Sequence, residues 1–403
     1  MKESDIKVYA YRWVVLAAFM FINLTIQILW ICFAPITGPA AEFFQVSDMQ
    51  IGMLAMSFMI VYIPLAIPAS WVIDRLGFKN GVGLGAVLLG AFGLLRGLYA
   101  PTYPWVLGFT LGIAVAQPLL LNAFTTLAAK WFPLNERASV SGLATVANFL
   151  GTAIGLMLTP YLVTRYGIPG MQLIYGVLAA LSAAAFLILA REAAPTSMSP
   201  AGFQERALMF DGLKMILRQA DFYRVMVIFF VGMGVFNGVA TWIEAMVRPK
   251  GLSISQAGML GGLLLIGGII GAAIIPALSD HYRKRKPFIL AGMICAVPGL
   301  WGFTFGQTYL SLLVSIFVLG FFMMGMGPIG LQYAAEITFP APEGTSNGLL
   351  MLASQLAVVF IYGMEALNNL LGSFRPALLL GVGLMAISCL LIARLQESSL
   401  IKK

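Results

Sequence analysis

Residues 320–355 read GFFMMGMGPIGLQYAAEITFPAPEGTSNGLLMLASQ, and the alternation in this stretch decides the fold. From Gly320 the chain is an apolar helix rich in Gly and Met. A short polar break follows at Pro340, Pro342, Glu343 and Gly344, and then a second apolar helix that carries Gln355. At ~1.5 Å per residue, the roughly ten residues from Thr345 place that amide about 15 Å into a ~30 Å hydrocarbon layer. A side-chain amide at that depth sits in the middle of a membrane.

The whole chain agrees with this segment. Of 403 residues, 60% are hydrophobic and 10% charged, and the mean hydropathy is +0.92. A soluble domain of that composition has too little polar surface to cover itself. Cys32, Cys295 and Cys389 all fall inside apolar runs, which gives no disulfide framework and no metal-binding spacing. The net charge of +8 is not gathered into a basic patch with interleaved aromatics, so membrane topology explains it and a nucleic-acid partner is not expected.

Twelve apolar segments of about 20 residues can be counted. The first covers 13–38, the fourth 104–129, the seventh 224–246 and the eleventh 345–370. With both ends cytoplasmic, every Lys and Arg except Arg96, Arg165, Arg248, Lys250 and Arg375 falls on the inner side, which fixes the orientation. The opening MKESDIKVYAYRW has no cleavable signal pattern and leads into the first span. The long polar segment divides the chain into a six-helix half at 1–190, a cytoplasmic linker at 191–223 with the amphipathic stretch FQERALMFDGLKMILRQADFYR, and a second half at 224–403. An internal repeat supports the division. SWVIDRLGFK at 70–79 matches PALSDHYRKRK at 276–286, and WFPLNER at 131–137 matches TFPAPEG at 338–344. Asp74 and Asp280 are 206 residues apart, Glu136 and Glu343 are 207 apart, and one shared offset indicates a duplicated unit.

At this point the chain resembles the major facilitator superfamily: DRLGFK is close to its loop signature after the second span, and DHYRKR is the degenerate copy after the eighth. The resemblance implies an all-α membrane fold of twelve helices in two six-helix pseudo-repeats, working by alternating access. It also implies gating roles for Asp74, Arg75, Lys79, Asp280 and Arg283. Three stretches, 62–77, 119–155 and the one containing PEGTSNGLL, look like the feline leukemia virus subgroup C receptor family of transporters. That resemblance implies facilitated transport of choline and ethanolamine, with haem export also ascribed to members.

Residues alone nominate a site. Candidates are polar or aromatic positions about half-way along their helices: Gln117, 13 residues into its span, Gln355, Asn237 and Trp30, with Asn148 and Tyr62 behind them. Trp offers its ring face to an ammonium while amide oxygens orient a hydroxyl or amine. In the family it resembles, a Trp of the first span and Gln residues of the fourth and eleventh line the pocket, matching Trp30, Gln117 and Gln355. Asn237 stands where animal members have a Tyr, which weakens the cage for choline and admits a primary amine. Interhelical hydrogen bonding is the plain alternative for each amide.

Carboxylates bear on coupling. Glu244 and Glu365 each lie 20 residues into their spans, at the outer boundary, with no acid at the midplane, which favours a facilitator over a proton-coupled carrier. Glu244 is either part of an outer vestibule or a solvated helix end near Arg248. Arg96, inside a span, is expected to snorkel toward Tyr99 and Tyr103. His281 has no partners at metal-ligand spacing, no Walker lysine motif is present, and no cofactor or enzymatic activity is expected. Gly151 with Gly155 and Gly267 with Gly271 read as close helix packing. The sequence therefore describes a multi-pass inner-membrane carrier of a small amine, with a monomer as the expected working unit. Two alternatives stay open: a proton-coupled carrier of organic anions, drugs or haem, and a receptor that binds without transport.

Overall fold

A computed structural model describes residues 9–99, 102–133, 136–195, 216, 218–339 and 343–397. Within the last of these, the side chains of 343–345 are not described, so the Glu343 comparison and the break at Pro340 and Pro342 lie outside what can be placed, as does most of the linker.

Every long apolar run is helical. The helices are α1 (Arg12–Ile31), α2 (Thr37–Phe44), α3 (Asp48–Leu98), α4 (Tyr103–Leu121), α5 (Phe124–Trp131), α6 (Arg137–Leu189), α7 (Ala220–Thr241), α8 (Ile243–Val247), α9 (Ile254–His281), α10 (Lys286–Phe305), α11 (Tyr309–Ile337), α12 (Glu343–Leu356), α13 (Val358–Leu371) and α14 (Arg375–Ala393). In hydrocarbon the backbone must satisfy itself, and a helix does so without help from a neighbouring strand. Among the described residues, ten helical stretches are long and apolar enough to cross a membrane. Two of them, α3 and α6, run to 51 and 53 residues and break at Gly77 and Gly167; counting each as two spans gives twelve. Large apolar side chains such as Ile188 and Leu370 stay about four-fifths exposed, as a lipid-facing surface requires.

Contacts divide the chain into Met1–Glu205 and Arg206–Lys403, and the two units start their spans alike. Ser47 caps α3 in a capping box with Gln50, and Ser253 caps α9 in a capping box with Gln256. Each box satisfies two backbone donors that the first helical turn leaves free. In the first unit α6 packs on α1 and α3, and in the second α11 packs on α9 and α10. The close packing expected of Gly155 is seen here: a Cβ there would lie 3.2 Å from Ile28 Cα, so its absence lets α6 lie against the α1 turn that precedes Trp30.

Candidate functional site

Several spans that the sequence presents as continuous are interrupted. The first apolar span, Tyr11–Phe44, breaks between α1 and α2. The fourth breaks between α4 and α5, the seventh between α7 and α8, and the eleventh between α12 and α13. Trp30, Gln117, Asn237 and Gln355 all lie in the last turns of the segments that stop. A helix end leaves carbonyls without intrahelical donors and carries partial negative charge, which favours a cation nearby. Broken helices at membrane depth are a recurring device of solute sites. Trp30 and Asn237 are 207 residues apart, and so are Asn148 and Gln355, so four of the six candidates form two pairs under the internal repeat.

In the first unit the Trp30 indole N–H donates to the Ala55 carbonyl at 3.1 Å. That bond pins one edge of the half-buried ring and leaves its face for contact. Gln117 is 6% exposed, and its Oε1 has no hydrogen-bond partner. Asn148 Oδ1 is likewise buried without a donor. Tyr62 donates its hydroxyl to Asn122 Oδ1 at 2.7 Å, while Asn122 Nδ2 donates to the Ala66 carbonyl and to Ser70 Oγ, both at 2.9 Å. Sequence reasoning missed Asn122. Its signal was available in part: a carboxamide inside the apolar span 104–129, though the end of α4 beside it shows only in the structure.

Arg96 corrects an expectation. It is 1% exposed and does not snorkel toward Tyr99 and Tyr103. Its guanidinium instead turns inward, to the Leu29 carbonyl, Thr110 Oγ1 and Cys32 Sγ. The free end of α1 offers it acceptors, and the negative end of that helix compensates its charge inside the protein.

In the second unit Asn237 is 7% exposed on α7, and Gln355 is half-buried on α12. Glu244 is buried, against the reading of a solvated helix end, and Arg248 grips it in bidentate fashion: Nε to Oε1 at 2.9 Å and Nη2 to Oε2 at 2.6 Å. Glu365 is also buried, with Asn368 Nδ2 donating to its Oε2 at 3.3 Å. An apolar cavity of about 200 Å³ between Phe230, Phe360, Met364 and Leu380 holds none of the candidates.

The loop residues assigned to gating divide in two. Asp74 and Arg75 are exposed, with the Arg75 guanidinium 5.0 Å from the Trp71 ring centre. The Lys79 amide donates to Glu192 Oε2 at 2.7 Å and the Phe78 amide to Oε1 at 3.0 Å, with Lys130 paired to the same carboxylate. In the second unit Asp280 pairs with Arg285, which also reaches Glu336 at 3.2 Å; Arg283 is exposed with a left-handed backbone. The Arg285 and Lys286 amides donate to Glu397 Oε1 at 2.9 and 3.3 Å. Burial works against the Arg285 charge, but its bonds to Asp280 and Glu336 outweigh it and raise the pKa above the ordinary guanidinium value. Among the described residues no group of three or more His, Cys, Asp or Glu is placed to hold a metal ion.

The family model described as Major Facilitator Superfamily matches residues 15–362. Solute carrier family 49 member A3 of Xenopus tropicalis is 30% identical over 401 residues, covering 93% of this chain and 82% of that protein. Choline/ethanolamine transporter FLVCR2 of Homo sapiens is 29% identical, covering 88% of this chain and 71% of that one. In fold, the chain is similar to a bacterial homologue of the human lysosomal transporter Spinster, with a TM-score of 0.77, 16% identity, and 96% and 97% of the two chains covered.

Proposed function

This chain belongs to the Major Facilitator Superfamily, a multi-pass secondary transporter of the membrane, and we propose that its cargo is a small polar amine or cation of the choline and ethanolamine kind. The observations that support the reading are, in the same unit, a Trp30 ring pinned by its N–H and the buried, unpartnered oxygen of Gln117. A desolvated ring face attracts an ammonium, and a carboxamide oxygen without a donor is stabilised by a cargo that brings an N–H or O–H. Relatives named as choline/ethanolamine transporters support the cargo class. Asn237 and Gln355 are assigned to the same task in the second half, with Tyr62 and Asn148 as supporting residues. The reading takes 1–190 and 224–403 as the halves, joined by 191–223, with both termini cytoplasmic in the plasma membrane and the chain acting as a monomer without enzymatic activity.

Radiolabelled choline and ethanolamine uptake into proteoliposomes, with and without a pH gradient, tests it. Saturable uptake indifferent to the gradient is expected, with Trp30→Ala raising KM at least about tenfold. Uptake of neither compound overturns the cargo. The burial of Glu244 and Glu365 favours one competing reading, a proton-coupled carrier, in which a gradient drives accumulation and Glu365→Gln abolishes that drive.

A further inference from the structure

Arg96 is a buried cation of the first unit that the proposed function leaves unused. It lies in the part of α3 after Gly77, and its partners are uncharged. Nη1 donates to the Leu29 carbonyl and to Thr110 Oγ1, both at 3.3 Å, and Nη2 reaches Cys32 Sγ at 3.6 Å. The guanidinium carbon stands 5.8 Å from the Phe33 ring centre. Among the described residues no carboxylate pairs with it. An intramembrane arginine needs compensation, and the negative end of α1 supplies it. The α1 ladder closes with the Cys32 N–H on the Ile28 carbonyl, and the Leu29 carbonyl is the next one along.

The two oxygen partners are placed tellingly. Leu29 immediately precedes Trp30, and Thr110 precedes Gln117 by seven residues, two turns along the same face of α4. The Thr110 hydroxyl donates to the Val106 carbonyl at 2.7 Å, so its rotamer is fixed and a lone pair is turned to the arginine. From this we infer that Arg96 is a positioning residue whose planar guanidinium, meeting both oxygens through Nη1, sets the separation of Trp30 and Gln117. The inference rests on the assignment of those two residues to the cargo. Both oxygens are met by Nη1, whose two N–H bonds are held at a fixed angle in the guanidinium plane, while Nη2 meets Cys32. A lysine ammonium has donors enough but rotates freely and has no second nitrogen, so it supplies the charge without that fixed geometry.

The experiment pairs transport with a readout that needs no cargo. Trp30 emission, taken as the difference between wild type and Trp30→Phe in detergent, is expected to shift in Arg96→Met and in Arg96→Lys. In choline and ethanolamine uptake, Arg96→Met is expected to raise KM about tenfold with a smaller change in kcat, and to add nothing in a Trp30→Ala background. Unchanged Trp30 emission, an equal loss in both backgrounds, or full rescue of KM by Arg96→Lys overturns the positioning role. Where Arg96→Met does not fold, Thr110→Val removes one acceptor and carries the same two readouts, with about a threefold rise in KM. If the wild type takes up neither amine, the assignment of Trp30 to an amine fails, and the emission measurement still decides whether Arg96 positions it.

Discussion

The loops at Gly77 and at Arg283 solve one problem by different means. Each follows a span that carries a loop aspartate, and each must start a new helix whose first amides lack partners. In both, a carboxylate from more than 110 residues later in the chain takes those amides: Glu192 for Phe78 and Lys79, and Glu397 for Arg285 and Lys286. The difference lies in what surrounds the cap. In the first loop Gly77 turns the chain at φ +84°, and Asp74 and Arg75 stand exposed. In the second, a non-glycine residue, Arg283, turns it at φ +50°, and Arg285 gathers Asp280 and Glu336 into a clamp. A duplicated unit has kept the backbone contact and let the side-chain network diverge, so the cap is the shared structural need.

The comparison can be broken first at the clamp. Arg285 and Glu336 side chains are 10% and 9% exposed, and removing one partner of so buried a pair strands the other. Arg285→Met is therefore expected to cost about 3 kcal/mol, read as a fall in the thermal-unfolding midpoint in detergent, while Arg75→Met stays within about 0.5 kcal/mol. Because the Arg285 pKa is raised, its stabilisation is present in full below the unfolded guanidinium pKa and is lost only as pH rises through the higher folded value. Its side of the deficit in Arg285→Met should hold steady between about pH 6 and 9.

The turn comes second. A Cβ at Gly77 meets both a left-handed backbone and the Glu192 carboxylate, so Gly77→Ala is expected to cost about 2 kcal/mol. Arg283→Ala, at the corresponding turn of the other loop, changes no Cβ in a backbone that already carries one at φ +50° and is expected to be near neutral, and equal losses from the two would erase the distinction. The smallest effect is the cap itself: Glu192→Gln and Glu397→Gln should each cost about 1 kcal/mol, measured by the same unfolding midpoint. A loss confined to one of them would show that the repeat no longer shares its cap.

The fold was legible because a membrane leaves few options: apolar runs must become helices, and lysines and arginines, Arg96 apart, gather outside them. Legibility stopped where contacts span long sequence distances. Trp30 is visible as an aromatic in an apolar run, but the Ala55 carbonyl that pins it belongs to another span. Arg96 was expected to reach Tyr99 and Tyr103, its neighbours along the chain, whereas its acceptors at Leu29 and Thr110 are set by how the helices pack. The breaks at Asn122, Trp242 and Ala357 carry no proline or glycine at the break itself, which is why each of those spans reads as one helix; the first break, after Ile31, holds Pro35 in its short connecting turn. Glu192 and Glu397 look like ordinary polar residues beyond a span until the amides they accept from are seen.

The caps also impose an order on biosynthesis. Glu192 emerges 113 residues after Lys79, which at ribosomal speed is a delay on the order of ten seconds. Throughout that interval the second and third spans exist as a hairpin whose bend has exposed amides and no carboxylate. Insertion machinery or a chaperone on the bend's side of the membrane has that window in which to hold the bend open, and release of Glu192 from the exit tunnel is what lets it close.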